Sequence, residues 1–190
     1  MGAYLIGAIP VGYLVARALG VDIRRQGSGN IGATNVLRTL GRGPAVATLL
    51  SDVAKGFVGA WVGSRAGPGT LWGAAGIVLV VVGNCWPVFL GFQGGKGVAT
   101  ALGAFLRATP WAILPAAVVW VALLASFRFV SLASLCASLG LPLAILLLGY
   151  RTPLALAGAA VALIVVLRHR ENVQRLLAGT ERRFGEQEPA

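Results

Sequence analysis

Acidic side chains are scarce in this chain. Six Asp and Glu stand against sixteen Lys and Arg, for a formal net charge of +10. The acids do not cluster, so no aspartate group is available to hold catalytic metals. Histidine is scarcer still. With His169 alone, and no HxxxxD pair, a Ser-His-Asp triad has nothing to be built from. The two cysteines, Cys85 and Cys136, lie in apolar stretches without zinc-site spacing, and they read as small core hydrophobes. Charge of either sign is also sparse. Only 12% of residues are charged, against about a quarter in soluble domains, and this excludes an ordinary soluble globule. The positive excess in a chain of mean hydropathy +0.81 points to an anionic membrane surface or anionic substrates. Nucleic acid is disfavoured, because the basic residues do not line one soluble face.

What is abundant is hydrocarbon. Apolar runs cover about 3–19, 44–64, 71–90, 98–107, 110–127, 129–149 and 152–167. An 18-residue helix rises about 27 Å, close to the thickness of a bilayer core. The expectation is a single all-α polytopic domain over 1–190 with about seven transmembrane helices. Run 98–107 is short enough to be a half-helix, and 185–190 is expected to be a disordered tail. The first run has no basic residue before it and reads as a retained span, not a cleaved signal. Small residues recur inside the runs, as in "SLASLCASLG", and suit close helix packing in lipid. If all seven runs cross with the N-terminus outside, the C-terminus is cytoplasmic. Twelve Lys and Arg then face the cytoplasm and three (Arg65, Arg107 and Arg151) face out, as the positive-inside rule requires.

Four polar constellations interrupt the hydrocarbon. In "GSGNIGATN", Gly27, Gly29 and Gly32 leave backbone amides unobstructed, and Ser28, Asn30, Thr34 and Asn35 add neutral donors. Arg38 supplies a planar fork suited to phosphate. A polar loop ending in a helix cap is the plainer reading of the same residues. In "GFQGGKGVAT", Gly94, Gly95 and Gly97 surround Lys96 ahead of a helical run, as a phosphate cradle would, although a tight turn has the same composition. It is not a nucleotide-triphosphatase loop, because Gly97 stands where Ser or Thr would hold magnesium. In "RHREN", His169 and Asn172 share a helix face, while Glu171 beside arginine reads as an internal brace. In "SDVAKG", Asp52 and Lys55 sit three apart within an apolar run. They form either a self-neutralising pair or, since ionisable groups in a membrane are functional candidates, part of a site.

Together these segments resemble the bacterial membrane glycerol-3-phosphate acyltransferases that use acyl phosphate as donor. The matching words are "GSGNIGATNVLR", "DVAKG", "PVFLGFQGGKGVATALG", "FVSLAS" and "RHRENVQRLL", in order over nearly the whole chain. The resemblance implies a seven-helix protein of the cytoplasmic membrane with its site on the cytoplasmic face. It implies acyl transfer from acyl phosphate to the 1-hydroxyl of sn-glycerol 3-phosphate, giving lysophosphatidate and phosphate. By the same resemblance Ser28, Arg38, His169 and Asn172 are catalytic and Glu171 is structural. Gly94, Gly95, Lys96 and Gly97 would bind glycerol 3-phosphate. The substrate-binding set also takes in Gly27, Gly29, Asn30, Thr34, Asn35 and Lys55, with Asp52 structural. No cofactor or metal is expected, and a monomer is compatible with all of this. Two positions depart from the pattern: Asn84 stands in place of histidine and Gln93 in place of lysine. A transporter for small organic phosphates, or a scaffold gripping anionic lipid, are the rival readings.

Overall fold

The computed structural model describes residues 1–186; the tail expected over 185–190 falls, beyond Glu186, outside them. Ten α-helices and two short 3-10 turns make up the described residues, without strands. The first apolar run is broken into α1 (Gly2–Ala8) and α2 (Val11–Ala18). Pro10 breaks it, because it has no amide to give the preceding turn. A 3-10 turn (Ile23–Arg25) and the short α3 (Ala33–Leu40) then lead into α4 (Arg42–Ser64). Next come α5 (Leu71–Cys85), whose first turn is capped by Thr70 Oγ1 accepting from the Gly73 amide at 3.2 Å, and a 3-10 turn (Val88–Leu90). The chain continues through α6 (Val98–Ala108), α7 (Pro110–Phe127), α8 (Val130–Leu147), α9 (Thr152–Arg168) and α10 (Arg170–Leu177). Pro115 and Pro142 lie inside α7 and α8, as membrane helices tolerate.

Among the described residues, α4, α5 with its following 3-10 turn, α7 and α8 are long and apolar enough to cross a bilayer. Helix α9 with α10, bent by 61°, counts as a fifth if the pair is one broken span. The expected seven are therefore not all full-length helices. The first run is interrupted at Pro10, and α6 has 11 residues, a rise of about 16 Å. Both nevertheless run between the two ends of the bundle. Gly2 lies by Val62 and Gly12 by Thr48, which sets α1 and α2 antiparallel to α4. Gly59 meets Val80 and Gly63 meets Gly76, so α5 is antiparallel to α4. Every polar motif except the Asp52–Lys55 pair is thereby gathered at one end, the loop end. The starts of α5, α7 and α9 lie at the far end.

Glycine sets how closely the helices approach. A Cβ on Gly56 would stand 2.0 Å from the Thr100 carbonyl oxygen, and one on Gly103 would stand 1.8 Å from that of Val53. Helices α4 and α6 therefore touch backbone to backbone, as small-residue interfaces in lipid allow. Gly103→Val must push the two apart, at a cost of about 3 kcal/mol or more by overpacking. The expected outcome is a fall of several degrees in melting temperature with little folded protein recovered. An unchanged melting curve would contradict this packing.

Candidate functional site

The first loop is built around Asn35. Its Oδ1 accepts from the Ser28 amide at 2.9 Å, and its Nδ2 donates to the Gln26 and Asn30 carbonyls at 3.0 and 2.8 Å. Asn35 is 2% exposed, so its polar atoms are used within the loop. It shapes the turn and has nothing left to offer a substrate, which corrects its expected role as a donor. Asn30 is likewise engaged: its Oδ1 accepts from the Gly32 amide at 2.8 Å as α3 begins. Gly27 and Gly29 have φ of 55° and 69°. A Cβ on Gly27 would lie 2.4 Å from Asn35 Oδ1, so glycine is required there by conformation and by space. The result is an exposed Ser28 hydroxyl at the tip of a braced turn. Thr34 and Arg38 follow on α3, both half-buried and without a hydrogen bond from their side chains to any described residue.

The second loop is packed against the end of α5. The Gly95 amide donates to the Asn84 carbonyl at 2.9 Å, and a Cβ on Gly94 would come within 2.2 Å of that oxygen. Asn84 is buried behind the loop, its side chain against Gly95. Gly97, with φ of 84°, opens α6. Arg168 holds the loop from α9, donating from Nη2 to the Gly94 carbonyl at 2.8 Å and from Nε to that of Gly95 at 3.1 Å. It also stacks over Trp86 at 5.5 Å.

The third motif lies at the bend. His169 ends α9 and begins α10, and it is 4% exposed. Its Nδ1 lies 2.8 Å from the Val165 carbonyl. A carbonyl only accepts, so Nδ1 carries the proton and Nε2 keeps its lone pair.

These loops are joined by two contacts. Lys96 Nζ donates to Asn172 Oδ1. Asn172 Nδ2 in turn donates to Glu181 Oε1 at 2.7 Å. The Glu181 carboxylate also accepts from Ser131 Oγ at 2.6 Å and from Arg175 Nε at 2.8 Å. Its own burial would raise its pKa, but these donors outweigh that and hold the carboxyl below its usual range. Burial lowers Lys96 to about 8, the negative Glu181 opposing and Arg175 adding to the fall. Arg38, lowered chiefly by burial, feels the charges of Arg182, Glu181 and Arg175, which brings α3 to the same place. Arg38 and Lys96 thus both feel the charges of Glu181 and Arg175 at the loop end, and His169 feels that of Lys96.

Two further expectations meet a different geometry. Lys55 is engaged within the fold: its Nζ donates to the Ile9 carbonyl at 2.9 Å and pairs with Asp52 Oδ1 at 2.8 Å. Both groups are buried inside the bundle, where the pair caps the carbonyl left at the Pro10 break. The brace expected at Glu171 is also elsewhere. Glu171 is exposed and forms no ion pair among the described residues; the bracing carboxylate is Glu181. The sequence held one signal for it, an isolated acid in "GTERRF" among five arginines. Ser131, Arg168 and Arg175 were missed with it.

Comparison with known proteins places this geometry. The model of the glycerol-3-phosphate acyltransferase family matches residues 1–179. The chain is 48% identical to the glycerol-3-phosphate acyltransferase of Geobacter sulfurreducens, over 96% of this chain and 94% of that protein. It is 50% identical to that of Desulforudis audaxviator, over 96% and 92%. Its fold is similar to the crystal structure of PlsY, an integral membrane glycerol 3-phosphate acyltransferase, in its glycerol 3-phosphate form. The TM-score is 0.92 and the identity 40%, over 96% of this chain and 92% of that one. The lysophosphatidic acid form of the same protein matches with a TM-score of 0.90. With full-length sequence identity, a shared fold and helices of membrane length all in agreement, the chain is a multi-pass integral membrane enzyme of the glycerol-3-phosphate acyltransferase family.

Proposed function

We propose that this protein transfers an acyl group from acyl phosphate to the 1-hydroxyl of sn-glycerol 3-phosphate, at the cytoplasmic face of the cytoplasmic membrane. The observation that carries the proposal is the pair Arg38 and Lys96. Each is a partly buried cation with no carboxylate in direct contact, and both feel the charge of Glu181 at the loop end. Both substrates carry phosphate, and two anions side by side require such cations. The topology that goes with this reading is seven passes with the N-terminus outside, which the gathering of twelve Lys and Arg on the cytoplasmic side supports. All three motifs come from one chain, so a monomer holds the whole site. Ser28, Thr34 and Arg38 offer free donors. Lys96, held by Asn172, offers a second set.

In the proposed step the glycerol hydroxyl oxygen attacks the acyl carbon, and the acyl carbon–oxygen bond to phosphate breaks. Its electron pair leaves on phosphate. The proton has two possible acceptors. His169 Nδ1 is engaged with the Val165 carbonyl, so only Nε2 could accept, whereas the donor phosphate brings several anionic oxygens to the reacting bond. The proton therefore goes to a phosphate oxygen of the donor and departs as hydrogen phosphate. His169 Nε2 accepts a hydrogen bond that orients the hydroxyl. Acyl phosphate is already an activated anhydride, so no protein nucleophile is needed and Ser28 acts as a donor. A covalent acyl-Ser28 trapped with acyl phosphate alone would overturn direct transfer.

The Lys96 environment gives a pH test. Its ammonium binds phosphate only when protonated, and burial has lowered its pKa to about 8. The KM for glycerol 3-phosphate is expected to rise about tenfold per pH unit above 8 as that proton is lost. Lys96→Arg keeps its charge and should flatten the rise. A KM independent of pH between 7 and 10 in the wild type would place phosphate elsewhere.

A further inference from the structure

The far end of the bundle carries a second basic site that the acyl transfer does not use. Its charged residues are Arg65, Arg107 and Arg151, and none of the described acids lies there. Asp22, Glu171, Glu181 and Glu186 are at the loop end, and Asp52 is paired with Lys55 inside the bundle. Two of them border one place, Arg107 in its lining and Arg151 against it. A cavity of about 140 Å³ opens between α4, α5, α6 and α9, lined by Ser64, Gly69, Gly73 and Arg107 among others. The Arg151 stem lies against Gly69, its Cδ 2.9 Å from where a Cβ would stand. Arg65, next to Ser64, stacks on Trp61 at 5.2 Å.

The surroundings identify the depth. Trp61, Trp72 and Trp111 are all at this end and exposed, Trp72 by 75% and Trp111 by 68%. Exposed tryptophans mark the headgroup level of a bilayer. The cavity holds about five waters' share of liquid volume, at about 30 Å³ each, which suits a phosphate group and is too small for an acyl chain. Three guanidinium groups without an acid also disfavour a choline headgroup, which would bring a fourth cation.

We propose that Arg107 and Arg151 bind the phosphate of an anionic phospholipid, such as phosphatidylglycerol, in the leaflet opposite the acyltransferase site. The site is separate from catalysis, so its test does not depend on the proposed reaction.

The test is native mass spectrometry of the full chain in detergent, titrated with phosphatidylglycerol, phosphatidylcholine or inorganic phosphate. The wild type should retain one more phosphatidylglycerol than R107Q/R151Q. That lipid should be held about thirtyfold more weakly by the double variant, at the worth of two juxtamembrane arginines. R17Q, at the loop end, should retain the extra lipid. R107Q/R151Q should keep wild-type transferase activity, which shows that it is folded. Equal retention by wild type and double variant would overturn the proposal. So would equal binding of phosphatidylcholine, or displacement of the lipid by millimolar phosphate, which would make the site one for a water-borne anion.

Discussion

Arg38→Ala is expected to lower kcat by about 10³-fold while leaving the protein folded, the scale seen when one preorganised donor to developing charge is removed. Arg38 is half-buried on α3 and forms no hydrogen bond or ion pair with a described residue. Its removal therefore breaks no internal contact and should move the melting temperature little. In the proposed reaction its guanidinium would instead stabilise the charge that gathers as phosphate leaves. Arg38→Lys keeps the charge but loses the planar fork, and should recover only part of the rate. The check is a kcat and KM determination beside a thermal melt. An Arg38→Ala enzyme with near-normal kcat would remove this residue from the reaction.

The second large effect is at Glu181. Its carboxylate accepts from Ser131, Asn172 and Arg175, thereby tying α8, α10 and the segment after α10 together. Glu181→Ala would leave three donors without their acceptor and free Asn172 from its position under Lys96. Breaking a buried ion pair costs about 3–5 kcal/mol. Here Arg175 is 38% exposed, which reduces the expected loss to about 2 kcal/mol. For a chain of this size that is a fall of about 5 °C in melting temperature. Activity should fall about a hundredfold, because Lys96 and Asn172 lose their alignment. Glu181→Gln keeps an acceptor and loses the charge, so it should fall between the two. A Glu181→Ala protein with normal melting and normal turnover would show that the network does not organise the site.

Much of this architecture was legible in the sequence, for a physical reason. In lipid every backbone polar group must be satisfied within the segment, so an apolar run of sufficient length becomes a helix whatever its neighbours do. Runs such as 110–127 and 71–90 could be read directly. The glycine-rich loops were legible because φ > 0 and close backbone approach admit few other residues. What could not be read was the use of each polar group. Asn35 has the composition of a ligand-binding donor, yet its three hydrogen bonds hold its own loop. Lys55 has the composition of a site cation, yet it reaches a carbonyl 46 residues away at the Pro10 break. Glu181 carries little local sign of its role, because the segment after α10 has no helical pattern. Tertiary contacts fix that segment: Arg128 donates to the Phe184 carbonyl at 2.8 Å, and Phe184 returns its amide to Arg128 at 2.6 Å. Local sequence carries no trace of such pairings.

The most direct measurement is made on purified protein in lipid with palmitoyl phosphate and glycerol 3-phosphate, following lysophosphatidate and released phosphate together. The account predicts one phosphate released for each lysophosphatidate formed, and no product when palmitoyl-CoA replaces palmitoyl phosphate. Transfer from the thioester, or none from the acyl phosphate, would contradict it.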